Sequence, residues 1–382
     1  MKYNRKIIYL VGFLFSIPVA LTSYINSSFL ENYINTYYVG IIYIVASTLT
    51  IIGMLKMPKI LTRLGNRTTT IFFSLLLFLS LIMLAFGNKD FIIIPSFVLY
   101  FIASNFIVAS LDIFIEDFSQ NSKIGGIRGI YLSITSLAWV IAQIISGSII
   151  IKSSFRGIYI LSALFMILVS FIFVLFLHDF KDPEYRKVSV WKTIKLFIQN
   201  KHISKIYLLN LILRFFYAWM IIYTPIYLHE YIGFDWSQIG VIFSIMLVPF
   251  VVLDFPLGKL SDRIGEKKML IIGFFIISIF TLIIPAIKTQ ALFLWAFVLL
   301  FTRIGAATIE TMSESYFFKY IDEENADAIS FFRNTAPLSF IIGPALAIPV
   351  LLAVPSFKYL FFVLGAVMIC GFLISLRLRD VR

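Results

Sequence analysis

Arg214 and Arg303, with Asp112, Glu310 and Glu314, lie inside stretches of sequence that carry almost no other charge. An ionised side chain at the centre of a membrane helix costs about 2.5–3.5 kcal/mol on insertion scales. A group retained there must bind something, move a proton or meet a partner. Arg303, Glu310 and Glu314 are spaced seven and then four residues apart, which places them on one face of a helix. At 1.5 Å per residue Arg303 and Glu310 stand about 10 Å apart along the axis, too far to pair directly. Arg303 therefore needs a partner from another segment or a bound anion. Arg214 and Arg303 are candidate counter-charges for an anionic solute, and Asp112 and Glu310 are candidate proton carriers. A second stripe, Asn105, Asp112 and Glu116, with Asp117 beside it, repeats the pattern earlier in the chain.

Other chemistries lack their residues. Cys370 is the single cysteine, so no internal disulfide and no Cys/His metal spacing exists. His178, His202 and His229 fall at the ends of apolar runs and read as surface residues. No nucleophile–base pattern and no phosphate-binding G-x-x-x-x-G-K-[ST] loop occurs. An enzyme is not expected, and neither is a cofactor or a metal.

The elements that must position these side chains follow from composition. Of 382 residues, 60% are hydrophobic and 14% charged, against roughly 25% charged in soluble domains. The apolar residues come in runs long enough to span a bilayer as helices. Polar breaks divide them into segments near 7–28, 37–57, 69–87, 91–115, 127–151, 156–178, 204–229, 238–257, 269–287, 291–317, 327–353 and 356–376. The first resembles a signal peptide but is longer than a typical apolar core of one, and reads as an uncleaved span. If the segments alternate across a membrane, 25 of the 32 Lys and Arg fall on one side. That side is cytoplasmic by the positive-inside rule, with both termini on it. The net charge of +12 is thus spread over turns, unlike the clustered face of a nucleic-acid binder. The longest polar gap separates six segments from six. Within it Trp191, Ile194 and Ile198 recur at helical spacing, which suggests either a short interfacial helix or a tether.

The two halves repeat one another. PKILTRLGNRT at 58–68 aligns without a gap on GKLSDRIGEKK at 258–268, and Gly40 aligns on Gly240 at the same offset. Shifted by two, LENYI (30–34) faces LHEYI (228–232), and NFIVASLDIFIE (105–116) faces RIGAATIETMSE (303–314). The duplicated basic turn, the central linker and the span count resemble the major facilitator superfamily. Gly258, Leu260, Asp262, Arg263, Gly265, Lys267 and Lys268 match its G-x-L-x-D-R-x-G-R/K-R/K motif; the first copy keeps Arg63, Gly65 and Arg67 but has Pro58 and Thr62 in place of the first Gly and the Asp.

The resemblance implies an all-α membrane protein of twelve helices in two six-helix bundles, 1–178 and 204–382, joined by a linker at 179–203. It implies a cytoplasmic latch of Arg63, Gly65, Arg67, Gly258, Asp262, Arg263, Gly265 and Lys267, in which Glu116 and Glu314 are read as partners of Arg63 and Arg263. Gly258 would allow close helix packing, and Gly265 a turn at positive φ. The family architecture also turns Tyr24, Asn26, Asn105, Tyr217, Trp219 and Tyr223 toward a substrate, with Trp139 and Gln143 nearby. Asn105 holds the place of the span-4 arginine of proton-coupled members, and Arg303 sits in an R-x-G setting in the second half. A Gly-Pro pair occurs at 343–344 and not in the fifth span, where the family's antiporters carry it.

The expected activity is secondary transport of a small organic solute by alternating access, coupled to protons. Alternatives are export of lipophilic compounds, or a sensor or lipid scramblase on the same scaffold. The expected setting is a plasma membrane, the inner membrane of a bacterium, with the protein as a monomer.

Overall fold

The computed structural model describes residues 2–117, 124–176, 190–320 and 326–379. It is helical throughout these residues. The first helices are α1 (Lys2–Ser23), the short α2 (Asn26–Glu31), α3 (Thr36–Leu64), α4 (Asn66–Phe86) and α5 (Asp90–Asp117). Then come α6 (Ile124–Phe176), α7 (Val190–Gln199) and α8 (Lys201–Ile226), which ends in a π-helical turn at Tyr227–Ile232. The remainder is α9 (Trp236–Val252), α10 (Asp254–Ile264), α11 (Glu266–Ile283), α12 (Leu292–Phe318), α13 (Ala326–Arg333), α14 (Thr335–Ala353) and α15 (Tyr359–Leu376).

Among the described residues, nine stretches are long and apolar enough to cross a membrane. Their outward faces are apolar: on α4, Phe72, Leu75, Leu79, Met83 and Phe86 recur every three or four residues and are all exposed, while Leu77, Leu81 and Leu84 are buried. Soluble monomers seldom expose an apolar stripe of that length, and lipid accepts it. The chain is a multi-pass membrane protein. Polar side chains within the helices turn back onto their own backbone, as Thr70 does to Asn66 O at 2.7 Å and Ser74 to Thr70 O at 2.7 Å, which satisfies them without water.

Residue chemistry sets the breaks. Gly65 and Gly265 adopt φ of 75° and 90°, a region open to glycine at little cost. They end α3 and α10 and start α4 and α11. The 127–151 and 156–178 segments run together as α6, broken at Ser154 with φ 56°. The 327–353 segment divides at Asn334 into α13 and α14, and α14 carries Pro344 and Pro349 inside it. His178, Lys123 and residues 179–189 of the 179–203 linker lie outside the described residues.

By contacts the chain forms two compact units, one of 1–187 with 236–244, the other of 188–235 with 245–382. In the first, α1 packs along α6, and Ile17, Ala20, Leu21, Ala138 and Ala142 form a core. Gly147 and Gly240 bring backbones together there: a Cβ at Gly240 would lie 2.7 Å from Gln143 O. In the second, α11 packs against α12 and α15. The closest approach is at Gly305, where a Cβ would lie 2.7 Å from Gly273 O and 2.8 Å from Ile277 N. The glycine of the R-x-G setting is thus a packing residue. Gly258 is not: nothing lies within 4 Å of a Cβ built there. The close packing expected of it is corrected accordingly.

These environments predict opposite outcomes. Gly305→Leu must push two backbones apart and is expected to cost about 1–3 kcal/mol. Gly258→Ala is expected to be neutral or stabilising by up to about 1 kcal/mol, because alanine favours a helix over glycine. Unfolding midpoints in detergent check both, and equal effects of the two would contradict the packing described.

Candidate functional site

The ionisable side chains of α8 and α12 meet. Arg214 Nη2 lies 2.9 Å from Glu310 Oε1, and the two side chains are 25% and 28% exposed. The Tyr217 hydroxyl donates to Glu310 Oε2 at 2.8 Å. One carboxylate therefore receives a guanidinium on one oxygen and a phenol on the other. Arg303 is 1% exposed. Its guanidinium carbon lies 5.2 Å from the centre of the Phe216 ring and 5.3 Å from that of Tyr217, and Arg214 lies 5.7 Å from Tyr217. Aromatic faces stabilise a desolvated cation. Tyr217 thus touches both arginines with its ring and the acid with its hydroxyl. Arg303 and Glu310 are seven residues apart on α12, and the acid is met by Arg214 from α8. Arg214, expected as a counter-charge for a solute, is held here in an ion pair with Glu310, as a carboxylate in low dielectric needs a compensating cation.

One turn before Arg214, Asn210 donates to Thr335 Oγ1 of α14 at 2.8 Å and is 1% exposed. Sequence reading did not single it out, although an amide within an apolar run one turn from an arginine was the available signal. On another side of α8, Phe215, Trp219 and Tyr223 form a second row of rings. Trp219 and Tyr223 are fully buried, with rings 5.6 Å apart, and Tyr223 faces Phe357 at 6.2 Å. Trp219 Nε1 and the Tyr223 hydroxyl find no hydrogen-bond partner among the described residues. A buried donor left so costs about 1–3 kcal/mol.

The candidates of the first unit are arranged differently. Tyr24 is buried, its ring 4.7 Å from Phe243 and 6.3 Å from Trp139. Asn26 Oδ1 accepts from the Tyr159 hydroxyl at 2.9 Å. Thr22 and Tyr100 share a 2.5 Å hydrogen bond between hydroxyls that sequence reading missed. Gln143 Nε2 donates to Ala20 O at 2.7 Å, tying α6 to α1. Asn105 donates to Phe101 O of its own helix at 2.8 Å, and Asp112 is half-buried on α5.

At the basic turns the expected latch residues are described only in part. The side chains of Asp262 and Glu116 lie outside the described residues. Arg63 and Arg263 are exposed, Lys267 is intermediate, and Glu314 is half-buried one turn past Glu310. Arg67 donates to Phe173 O at 3.4 Å and Val174 O at 2.7 Å, carbonyls of the last turn of α6, where a cation complements the helix dipole. The acid in full contact is Glu266. It is 2% exposed, lies 2.6 Å from Lys319 Nζ and accepts from Ser315 Oγ at 3.1 Å. Its counterpart after the first turn is Asn66, fully buried and donating to Ser110 O at 3.0 Å.

The α8–α12 pair has a measurable signature. Glu310→Ala leaves Arg214 and Tyr217 facing an apolar gap and is expected to cost about 1–3 kcal/mol, discounted from the buried-pair range because both side chains keep some exposure. Glu310→Gln, which keeps an acceptor for Tyr217, should cost less. The double variant Arg214→Met/Glu310→Met should be more stable than either single Met variant. A double-variant cycle with no coupling would remove the pair from the structural account.

The Major Facilitator Superfamily profile matches residues 8–246 and 206–382. An uncharacterized MFS-type transporter of Methanocaldococcus jannaschii is 25% identical over 250 residues, covering 63% of this chain and 63% of its own length. The chain thus aligns with just under two thirds of that relative. Two solved structures share the fold. A POT family transporter in complex with 5-aminolevulinic acid superposes with a TM-score of 0.79 at 15% identity, over 98% of this chain and 95% of its own. A POT family transporter with a thioalcohol-conjugated peptide gives 0.75 at 15% identity, over the same shares. A family match that spans both halves, on a chain whose helices carry buried charge between lipid-facing surfaces, has one reading: this protein belongs to the Major Facilitator Superfamily.

Proposed function

We propose that the protein is a secondary transporter for a small carboxylate-bearing solute, working by alternating access and coupled to protons. The observation that carries this is the cluster of Arg214, Glu310, Tyr217 and Arg303, in which two cations surround one acid within apolar helices. Glu310 and a solute carboxylate are alternative partners for the Arg214 guanidinium. Protonation of Glu310 releases Arg214 to the solute, and loss of the proton reclaims it. Arg303, held on two rings, keeps the local potential positive throughout and favours an anion. Trp219 Nε1 and Tyr223 OH, on the same helix, are donors without hydrogen-bond partners among the described residues, suited to hydrogen-bond a polar solute. The 5-aminolevulinic acid held by one structural neighbour is of the proposed class.

The transport fold proposed is twelve crossings in two six-helix bundles, 1–178 and 204–382, with both termini cytoplasmic. Support comes from lengths. Two of the nine apolar stretches, 36–86 and 130–176, have 51 and 47 residues, roughly twice what a 30 Å hydrocarbon core needs. Counting each twice and adding the 17-residue α9 makes twelve.

The test is ligand-dependent thermal stability of the purified protein, followed by exchange in proteoliposomes. Small carboxylates are expected to raise the unfolding midpoint of the wild type, by about 2.7 kcal/mol at a hundredfold excess over Kd, and not that of Arg214→Ala or Arg303→Ala. Glu310→Gln is expected to retain solute exchange but lose uphill movement driven by a pH gradient. Stabilisation by lipophilic cations alone, equal in wild type and arginine variants, would overturn the carboxylate reading and favour export of lipophilic compounds.

A further inference from the structure

At one end of the second unit, α7 and the ends of α8 and α15 enclose an open cleft of about 570 Å³. Lys201, His202, Lys205, Arg377 and Arg379 line it, together with Gln199, and no acidic residue is among its lining residues. Its charge comes from side chains rather than from the start of α8, because Asn200 Oδ1 already accepts from His202 N at 3.0 Å and Ile203 N at 3.3 Å. Among the described residues no ion pair neutralises these cations. Lys205 Nζ donates to Arg377 O at 2.7 Å, and the Tyr316 hydroxyl donates to Arg379 O at 3.2 Å. Tyr320 stacks on His202 with ring centres 5.3 Å apart. A carbonyl holds the Lys205 ammonium and a ring holds His202, and neither contact removes positive charge from the cleft. Four permanent cations around an open cleft suit an anion rich in oxygen, and guanidinium groups suit phosphate in particular.

The neighbouring face of α7 indicates the source of that phosphate. Thr193 and Phe197 are buried, the Phe197 ring packing 4.8 Å from Phe331 and 5.3 Å from Tyr207, and Ser204 Oγ donates to Phe197 O. The helix is therefore docked. Its outer face nevertheless presents Trp191 at 82% exposure and Ile198 at 72%. A docked amphipathic helix with outward Trp and Ile beside a basic cleft fits the boundary between headgroups and acyl chains. A free anion would have no use for those two side chains. We propose that the cleft of Lys201, Lys205, Arg377 and Arg379 binds the phosphodiester headgroup of an anionic phospholipid, with Trp191 and Ile198 set into the adjoining lipid. The lipid would anchor α7 against α8 and α15, independently of any solute.

The experiment is thermal unfolding of the purified full-length protein in mixed micelles, titrated with phosphatidylglycerol, phosphatidylcholine or inorganic phosphate. Phosphatidylglycerol is expected to raise the midpoint, and phosphatidylcholine and inorganic phosphate at the same concentrations are not. Each Lys or Arg near an anionic surface contributes about fivefold in affinity. Lys201→Gln/Arg377→Gln/Arg379→Gln should therefore weaken the phosphatidylglycerol response on the order of a hundredfold, with the midpoint in phosphatidylcholine unchanged because all three side chains are exposed. Trp191→Ser/Ile198→Ser should weaken the same response. Should the triple variant not fold, Arg379→Gln alone should show about a fivefold loss. Equal responses to the two lipids, or a triple variant that responds as the wild type does, would overturn the site. Inorganic phosphate reproducing the whole effect would overturn the lipid as its occupant.

Discussion

Hydrocarbon offers no hydrogen-bond partner to a peptide group, and the rest of this structure depends on that constraint. Every described stretch is helical or a short connection between helices, since a helix satisfies its own backbone and can face lipid with side chains alone. The same constraint turns Thr50 of α3, Thr70 and Ser74 of α4, and Ser96 and Ser104 of α5 back onto carbonyls a turn earlier. It also explains why chain reversals fall on residues with special freedom. Gly65 and Gly265 pass directly from one long helix to the next at positive φ, leaving little unsatisfied backbone between them.

Charge inside such a protein has to be answered locally. Glu310 is answered twice, by Arg214 and by Tyr217. Arg303 lies over two aromatic rings. Glu266, more buried than any of these acids, is answered by Lys319 and Ser315. The two acids differ in setting. Glu266 is enclosed at a helix start, where the dipole of α11 favours its anion, and reads as structural. Glu310 keeps partial exposure and shares its surroundings with two arginines, the setting in which an exchange of partners is proposed.

The duplication of the chain is visible in positions that have diverged in chemistry. Asn66 and Glu266 each follow a turn glycine, and each is buried against the next long helix, Asn66 on α5 and Glu266 on α12. One uses a neutral amide on a backbone carbonyl, the other a carboxylate on a lysine. Asn105 and Arg303 face each other across the repeat in the same way, one bonded to its own helix and the other engaged with rings on α8. The second half thus holds the concentration of buried charge that the first half lacks among its described residues.

Much of this was legible in order and composition. Apolar run lengths, glycine at 65 and 265, and the spacing of Arg303, Glu310 and Glu314 depend on local geometry, and the one-face placement on α12 follows from helical periodicity alone. Pairing across helices was not legible. That Glu310 would meet Arg214 from α8, that Glu266 would meet Ser315 and Lys319 at the end of α12, and that Gly258 would find nothing among the described residues within 4 Å of a Cβ are outcomes of helix rotation and register. The sequence by itself determined which residues had to be helical, which were too costly to leave unanswered in lipid, and the family to which the chain belongs. Only the tertiary structure decided which partner answers each one. A helix's periodicity sets the face a side chain occupies, but the packing of its neighbours sets what that face meets.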